Sequence, residues 1–377
     1  MLQVKLKTSV ILLLVGLFLS ISSFSYAANN RDNLKNTATP TKSNPLPSLR
    51  VNGNVLKDSQ GKTVVLRGVN RSGTEYMCAQ GRGIMDGPSD EASVQAIASW
   101  HVNAVRIPLN EHCWLGLSDI SPQYGGNNYR QAIKNYVSLL NQYGIYAILD
   151  LHWSGATLGQ TSNEAMPNST YSLSFWQSVT SAFKNNPGVL FDLFNEPHPD
   201  NNQDTTSGWS CWANGGKCSG VSYKTVGVKQ LVKKIRSLGA QNVIMLGGLR
   251  YANSLSQWLK YKPSDPLNNL VASWHIYPNG NQCNTTACYD TTLIPVIDKV
   301  PLVAGEVGES VDGNVCSVDE TNTVLNWLDK HNSGYLAWTW DTWSTDCGNW
   351  SLITNYDGTP KLPNGTNYKD HLSAIND

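Results

Sequence analysis

The chain of 377 residues is 40% hydrophobic and only 15% charged, with 28 basic side chains against 28 acidic ones. That length can bury one large core or two ordinary ones. A formal net charge of zero argues against nucleic acid and anionic membrane surfaces as partners and leaves uncharged ones open.

At the N-terminus Lys5 and Lys7 precede the apolar run Val10 to Ile21, and Ser25-Tyr26-Ala27 follows. Charged, apolar and small-residue regions in that order predict a signal peptide over residues 1–28, cut near Ala27. The run is shorter than the roughly 20 residues a membrane span needs, so an uncleaved anchor fits less well. Residues 29–48, NNRDNLKNTATPTKSNPLPS, have almost nothing to bury and predict a flexible polar leader. A single folded domain is expected over residues 49–377.

Within that domain apolar runs recur at Val64 to Asn70, Asn103 to Leu109, Tyr146 to His152, Val189 to Glu196, Val243 to Gly248, Val271 to Pro278, Pro301 to Glu306 and Tyr335 to Asp341. Short, nearly continuous runs of this kind read as strands buried on both faces. Between them, Tyr129 to Tyr143, Leu173 to Lys184, Val221 to Leu238 and Glu320 to Lys330 repeat apolar residues at three- and four-residue steps, which predicts helices. Strands alternating with helices imply a parallel sheet, and eight repeats imply an α/β fold, a (β/α)8 TIM barrel. The first predicted strand runs into GVNRSG, which lacks the GxGxxG turn expected of an open dinucleotide-binding sheet.

The cysteines number eight, which suits an oxidising compartment. Their spacing suggests Cys211 with Cys218, Cys283 with Cys288, and less directly Cys78 with Cys113 and Cys316 with Cys347. No pair has the tight CxxC spacing of a zinc site. Thirteen Trp and sixteen Tyr against six Phe favour rings with a polar edge, able to stack on a wet ligand and hydrogen-bond to it. Many of them, among them Trp114, Trp153, Trp209, Trp212, Trp343 and Trp350, fall in long segments after predicted strands. On a barrel that is the catalytic face.

Two of the apolar runs lead into glutamates, Glu196 in VLFDLFNEPH and Glu306 in PLVAGE. One such glutamate is most simply a structural ion-pair member; two on one rim suggest the paired carboxyls of glycoside hydrolysis. If the eight strands close, Arg106, His152, Asn195, His275, Tyr277 and Trp338 converge on the same rim.

These segments resemble glycoside hydrolase family 5, the cellulase family of the clan of (β/α)8 retaining glycosidases. VLFDLFNEPH is similar to its signature, and AVRIP, LDLHW, WHIYP, AGEVG and AWTW follow in the family's order over roughly residues 50 to 375. The resemblance implies Glu196 as acid/base and Glu306 as nucleophile, with Arg106, His152, Asn195, His275, Tyr277 and Trp338 around the substrate. Trp338 and Trp340 lie two apart, so both would face one side of a strand, and Trp340 is a further substrate contact. The implied activity is secreted, retaining cleavage of internal bonds in a neutral β-linked glucan, foremost as an endo-β-1,4-glucanase. Mannanase, xyloglucanase, exo-glucanase and transglycosylase activities share the frame, and a non-catalytic carbohydrate binder is the rival class. The partner expected is a neutral polysaccharide or oligosaccharide, with no nucleic acid, no membrane after signal cleavage, no cofactor and no metal, the protein acting as a monomer.

Overall fold

The computed structural model describes residues 45–277, 283–308, 317–343 and 350–375. Eight parallel strands form its centre: β1 (Arg67–Asn70), β2 (Ala104–Asn110), β3 (Tyr146–Thr157), β4 (Val189–Asp192), β5 (Ile244–Gly247), β6 (Leu270–Ile276), β7 (Leu302–Val307) and β8 (Gly334–Ala337). Each pairs with the next, and β8 pairs back onto β1 through Tyr335 with Arg67, so the sheet closes. This is a (β/α)8 barrel. Gly68 shows how tightly it closes: a Cβ there would stand 1.7 Å from the Ala104 carbonyl oxygen.

Strand alternation divides the apolar residues between two cores. One set faces inward, including Ile148, Leu190, Met245, Val271, Val303 and Leu336. The other faces the surrounding helices, which include Asn127–Gln142, Ser172–Phe183, Val228–Ser237 and Asp319–Lys330. An antiparallel sheet of Leu49–Asn52, Val55–Asp58 and Thr63–Val64 adds Leu49 and Leu56 to the inner core. It is held by Val51 N donating to Asn269 Oδ1 (2.7 Å), and Tyr146 Oη donates to the Pro47 carbonyl just before it (2.8 Å). The N-terminal end of the barrel is thereby filled, and the opposite end is left for chemistry.

Four strands differ from expectation. Thr63 and Val64 belong to the antiparallel sheet, so β1 begins only at Arg67. The fourth stops at Asp192, which leaves Asn195 and Glu196 on the loop beyond it. The third continues to Thr157 and turns back to pair with Gln160–Ser162. The eighth ends at Ala337.

Three disulfides close, Cys78–Cys113, Cys211–Cys218 and Cys283–Cys288, all after strand ends on the open face. The fourth expected pair, Cys316 with Cys347, lies outside the described residues. Cys78–Cys113 ties the segment after β1 to the short helix after β2 across 35 residues of chain. Chain-entropy arguments put its contribution at roughly 3–4 kcal/mol. Cys78→Ala with Cys113→Ala should lower the unfolding free energy in urea by about that amount, whereas a loss under about 1 kcal/mol would show that other contacts hold these loops.

Candidate active site

Above the apolar inner layer the same inward-facing positions turn polar: Asn70 on β1, Arg106 on β2, Asp150 and His152 on β3, Asp192 on β4. Arg106 is fully buried and uses its whole guanidinium. Nε meets Asp192 Oδ2 (3.0 Å), Nη1 meets Asn70 Oδ1 (3.1 Å) and Glu306 Oε1 (2.8 Å), and Nη2 meets Asn195 Oδ1 (2.9 Å) and Asp150 Oδ2 (3.0 Å). Burial alone would favour loss of its charge, but Asp150, Asp192 and Glu306 together outweigh it and raise the arginine's pKa further. The two aspartates respond in the other direction. Burial pushes each up to about 7 against the pull of Arg106, with Glu196 adding to the rise at Asp150 and Asp150 to that at Asp192.

The two glutamates meet over this layer. Glu306, at the end of β7, is held by Arg106 on one oxygen and by Tyr277 Oη, which donates to Oε2 at 2.5 Å. Glu196 sits across from it between Asn163, whose Nδ2 donates to Oε2 (2.7 Å), and His275, whose Nδ1 lies 3.1 Å from Oε1 and 3.6 Å from Glu306 Oε2. One oxygen of each glutamate and a His275 nitrogen fall within 4.8 Å of one another. Burial raises Glu196 above the ordinary glutamate range, opposed by His152, Asn163 and Arg106. Burial also lowers His275 to about 3 and His152 to about 4, with Glu306 opposing in both cases, so both imidazoles are neutral at neutral pH. His152 is oriented by Asp150, Nδ1 to Oδ2 at 2.6 Å.

The cleft floor is aromatic. Trp338 stacks on His152 (ring centroids 5.3 Å, planes 9° apart), and a row continues through Trp343, Tyr76 and Trp153 at spacings of 6.2, 6.2 and 6.4 Å. Trp343 Nε1 donates to Tyr76 Oη (2.8 Å), which fixes two of these rings together. Trp340 does not belong here. It is fully buried and packs edge-on against Trp100 (4.8 Å). The alternation that would align it with Trp338 holds only within a strand, and β8 has already ended at Ala337. Trp114, Trp209 and Trp212 are likewise buried as core, whereas Trp153, Trp343 and Trp350 keep exposure.

Arg106, His152, Asn195, Glu196, His275, Tyr277, Glu306 and Trp338 are thus all brought to one place. Sequence reasoning missed Asn70, Asp150, Asp192 and Asn163. Asp150 carries a usable signal, since it precedes His152 by two residues within one strand, an inward position one layer down, and Asn70 and Asp192 are polar residues that end apolar strands. Asn163 carries none, because loop geometry alone places it. Glu196, His275 and Glu306 are also the cluster that could hold a cation, but Arg106 and Tyr277 already occupy the Glu306 oxygens with donors, and a guanidinium at 2.8 Å opposes a second positive charge.

A family model described as cellulase, glycosyl hydrolase family 5, matches residues 57–344. A mannan endo-1,4-beta-mannosidase of Salipaludibacillus agaradhaerens is 25% identical over 320 residues, which cover 82% of this chain and 86% of that protein. A cellulase of a Thermoanaerobacterium species is 20% identical over 365 residues, covering 92% and 82%. Among solved structures, a beta-glucanase from Saccharophagus degradans in complex with cellotetraose superposes with a TM-score of 0.65 at 20% identity, over 90% of this chain and 96% of that one, a likeness that bears on the fold.

The charge balance around Arg106 has a measurable consequence. Arg106→Leu leaves three carboxyl groups without their cation and should cost roughly 3–5 kcal/mol in urea unfolding. The deficit should grow as pH rises through about 7, where Asp150 and Asp192 ionise against the guanidinium in the native wild type but remain protonated in the variant. A deficit independent of pH would contradict this balance.

Proposed function

Because the chain belongs to glycosyl hydrolase family 5, the cellulase family, we propose that it is an exported, retaining β-glycoside hydrolase that cleaves internal bonds of a neutral β-linked glucan, foremost as an endo-β-1,4-glucanase. The observation that supports the mechanism is the close approach of Glu196 and Glu306, one carboxyl oxygen of each lying within 4.8 Å of one of the other. Retaining pairs stand about 5–5.5 Å apart, whereas inverting pairs need about 6.5–9.5 Å to admit a water molecule between acid and base.

In the first step Glu306 attacks the anomeric carbon while Glu196 gives its proton to the departing glycosidic oxygen. Arg106 and Tyr277 each hold one oxygen of Glu306, so the nucleophile is oriented before substrate arrives. Burial keeps Glu196 in its acid form to higher pH than an exposed glutamate. In the second step Glu196, now a carboxylate, takes a proton from water, and the glycosyl–Glu306 ester is hydrolysed. Asn195 gives its amide oxygen to Arg106, which leaves its NH2 to donate to the hydroxyl beside the anomeric carbon. His152 and His275, neutral, act as hydrogen-bonding orienters and not as proton carriers.

The row from Trp338 to Trp153 offers aromatic rings at more than one point, tilted to one another by 53–57°, which favours action on chains. The mannan-cleaving relative at 25% identity supports a second reading, a β-mannanase on the same frame. Export is supported by the three disulfides and by the charged, apolar and small-residue order at the N-terminus.

Reducing-end release from cellulose derivatives, mixed β-glucan, xyloglucan and mannan tests the reading. The protein should act on one backbone, and Glu306→Gln should lower kcat by at least about 1000-fold. On that backbone kcat/KM should fall as pH rises through the pKa of Glu196, above the ordinary value of about 4.3, because only the protonated form is the acid. Reducing-end release unchanged in Glu306→Gln would refute the assignment.

A further inference from the structure

We propose that Asn163 is a positioning residue for the acid/base Glu196, holding one carboxyl oxygen as an acceptor so that the other carries the proton delivered to the leaving group. The proposal rests on the glycosidase reading above.

The geometry assigns different work to the two oxygens of Glu196. Oε1 lies 3.1 Å from His275 Nδ1, itself 3.6 Å from Glu306 Oε2, so Oε1 looks into the gap between the carboxyl groups, where the scissile bond must lie. Oε2 receives the Asn163 amide at 2.7 Å. An oxygen facing an N–H donor does not also carry a proton on that side, so with neutral His275 in its Nε2–H tautomer, where Nδ1 is an acceptor, the proton of the acid form resides on Oε1.

A further observation points the same way: the loop is fastened to both neighbours of the site. The adjacent Glu164 accepts from Ser154 Oγ (2.7 Å) and Ala156 N (2.9 Å) on β3, and from Asn168 Nδ2 (3.2 Å), itself bonded to the buried Glu111 (2.7 Å). His198 N, two residues past Glu196, donates to the Ala165 carbonyl (2.9 Å). The loop of Asn163 and the segment of Glu196 thus move together.

Glu196 is faced by His275 and Tyr277 from β6 and its end, Glu306 from β7, Arg106 from β2, and His152 and Asp150 from β3. Asn163 donates to it through an uncharged amide. A donor to the carboxylate favours the ionised form, so removing it should raise the pH at which Glu196 stops acting as an acid, and an ionised carboxylate in its place should raise it further.

The test uses the backbone on which the wild type acts, with the tetrasaccharide and the 2,4-dinitrophenyl disaccharide compared through kcat/KM. A sugar leaving group needs the acid and dinitrophenolate does not. In Asn163→Ala the tetrasaccharide value should fall roughly 10- to 100-fold and the dinitrophenyl value by less than about threefold, which also reports that the site is folded. The basic limb of the tetrasaccharide pH profile should move up in the order wild type, Asn163→Ala, Asn163→Asp. Equal losses on both substrates with an unmoved limb overturn the proposal. A wild type inactive on every polymer and on the aryl glycosides would instead overturn the glycosidase reading beneath it.

Discussion

A single buried guanidinium holds the active end of this barrel together. Arg106 bonds to groups from β1, β3, β4 and β7 and from the loop after β4. An ammonium could not do this, because a compact point charge lacks the planar fork that meets acceptors on several sides at once. Burying that charge is costly, and the cost is offset only because three carboxyl groups lie at hydrogen-bonding distance. The polar layer therefore stands or falls as a unit, and the orientation of the Glu306 carboxyl group belongs to that unit.

From this constraint follows the difference between the two glutamates. Glu306 lies on the Arg106 side and has a strong donor on each oxygen, which suits the nucleophile role proposed for it. Glu196 lies on the far side, with a neutral amide and a neutral imidazole for company, and burial raises its pKa. Chemically identical side chains thus meet different surroundings, which suits the opposite roles proposed for them. The histidines contribute by staying uncharged: were His275 protonated between the two carboxyl groups, it would pull Glu196 toward the ionised form and remove the acid.

Most of the fold and the gathering of the site residues is legible in the sequence. Eight apolar runs with helical segments between them mark a closed parallel sheet, and polar residues within or at the ends of those runs, Arg106, His152, His275 and Glu306 among them, meet where a barrel would bring them. What escaped has physical reasons. Asp150 and Asp192 look like interruptions of apolar strands unless the inward period is followed one layer below the rim. Trp340 was misplaced because strand alternation was carried past Ala337, where the strand stops. Asn163 is set by a hairpin that folds back over β3, a long-range arrangement that no local pattern encodes. The loops that decide between glucan and mannan resist reading for the same reason.

Retention of configuration is the central claim, and the anomer first formed from a β-linked oligosaccharide tests it most directly. Proton NMR recorded in the first minutes of hydrolysis, before mutarotation, should show the β-anomer at the newly released reducing end. Initial formation of the α-anomer would mean a single displacement by water and would contradict the role assigned to Glu306.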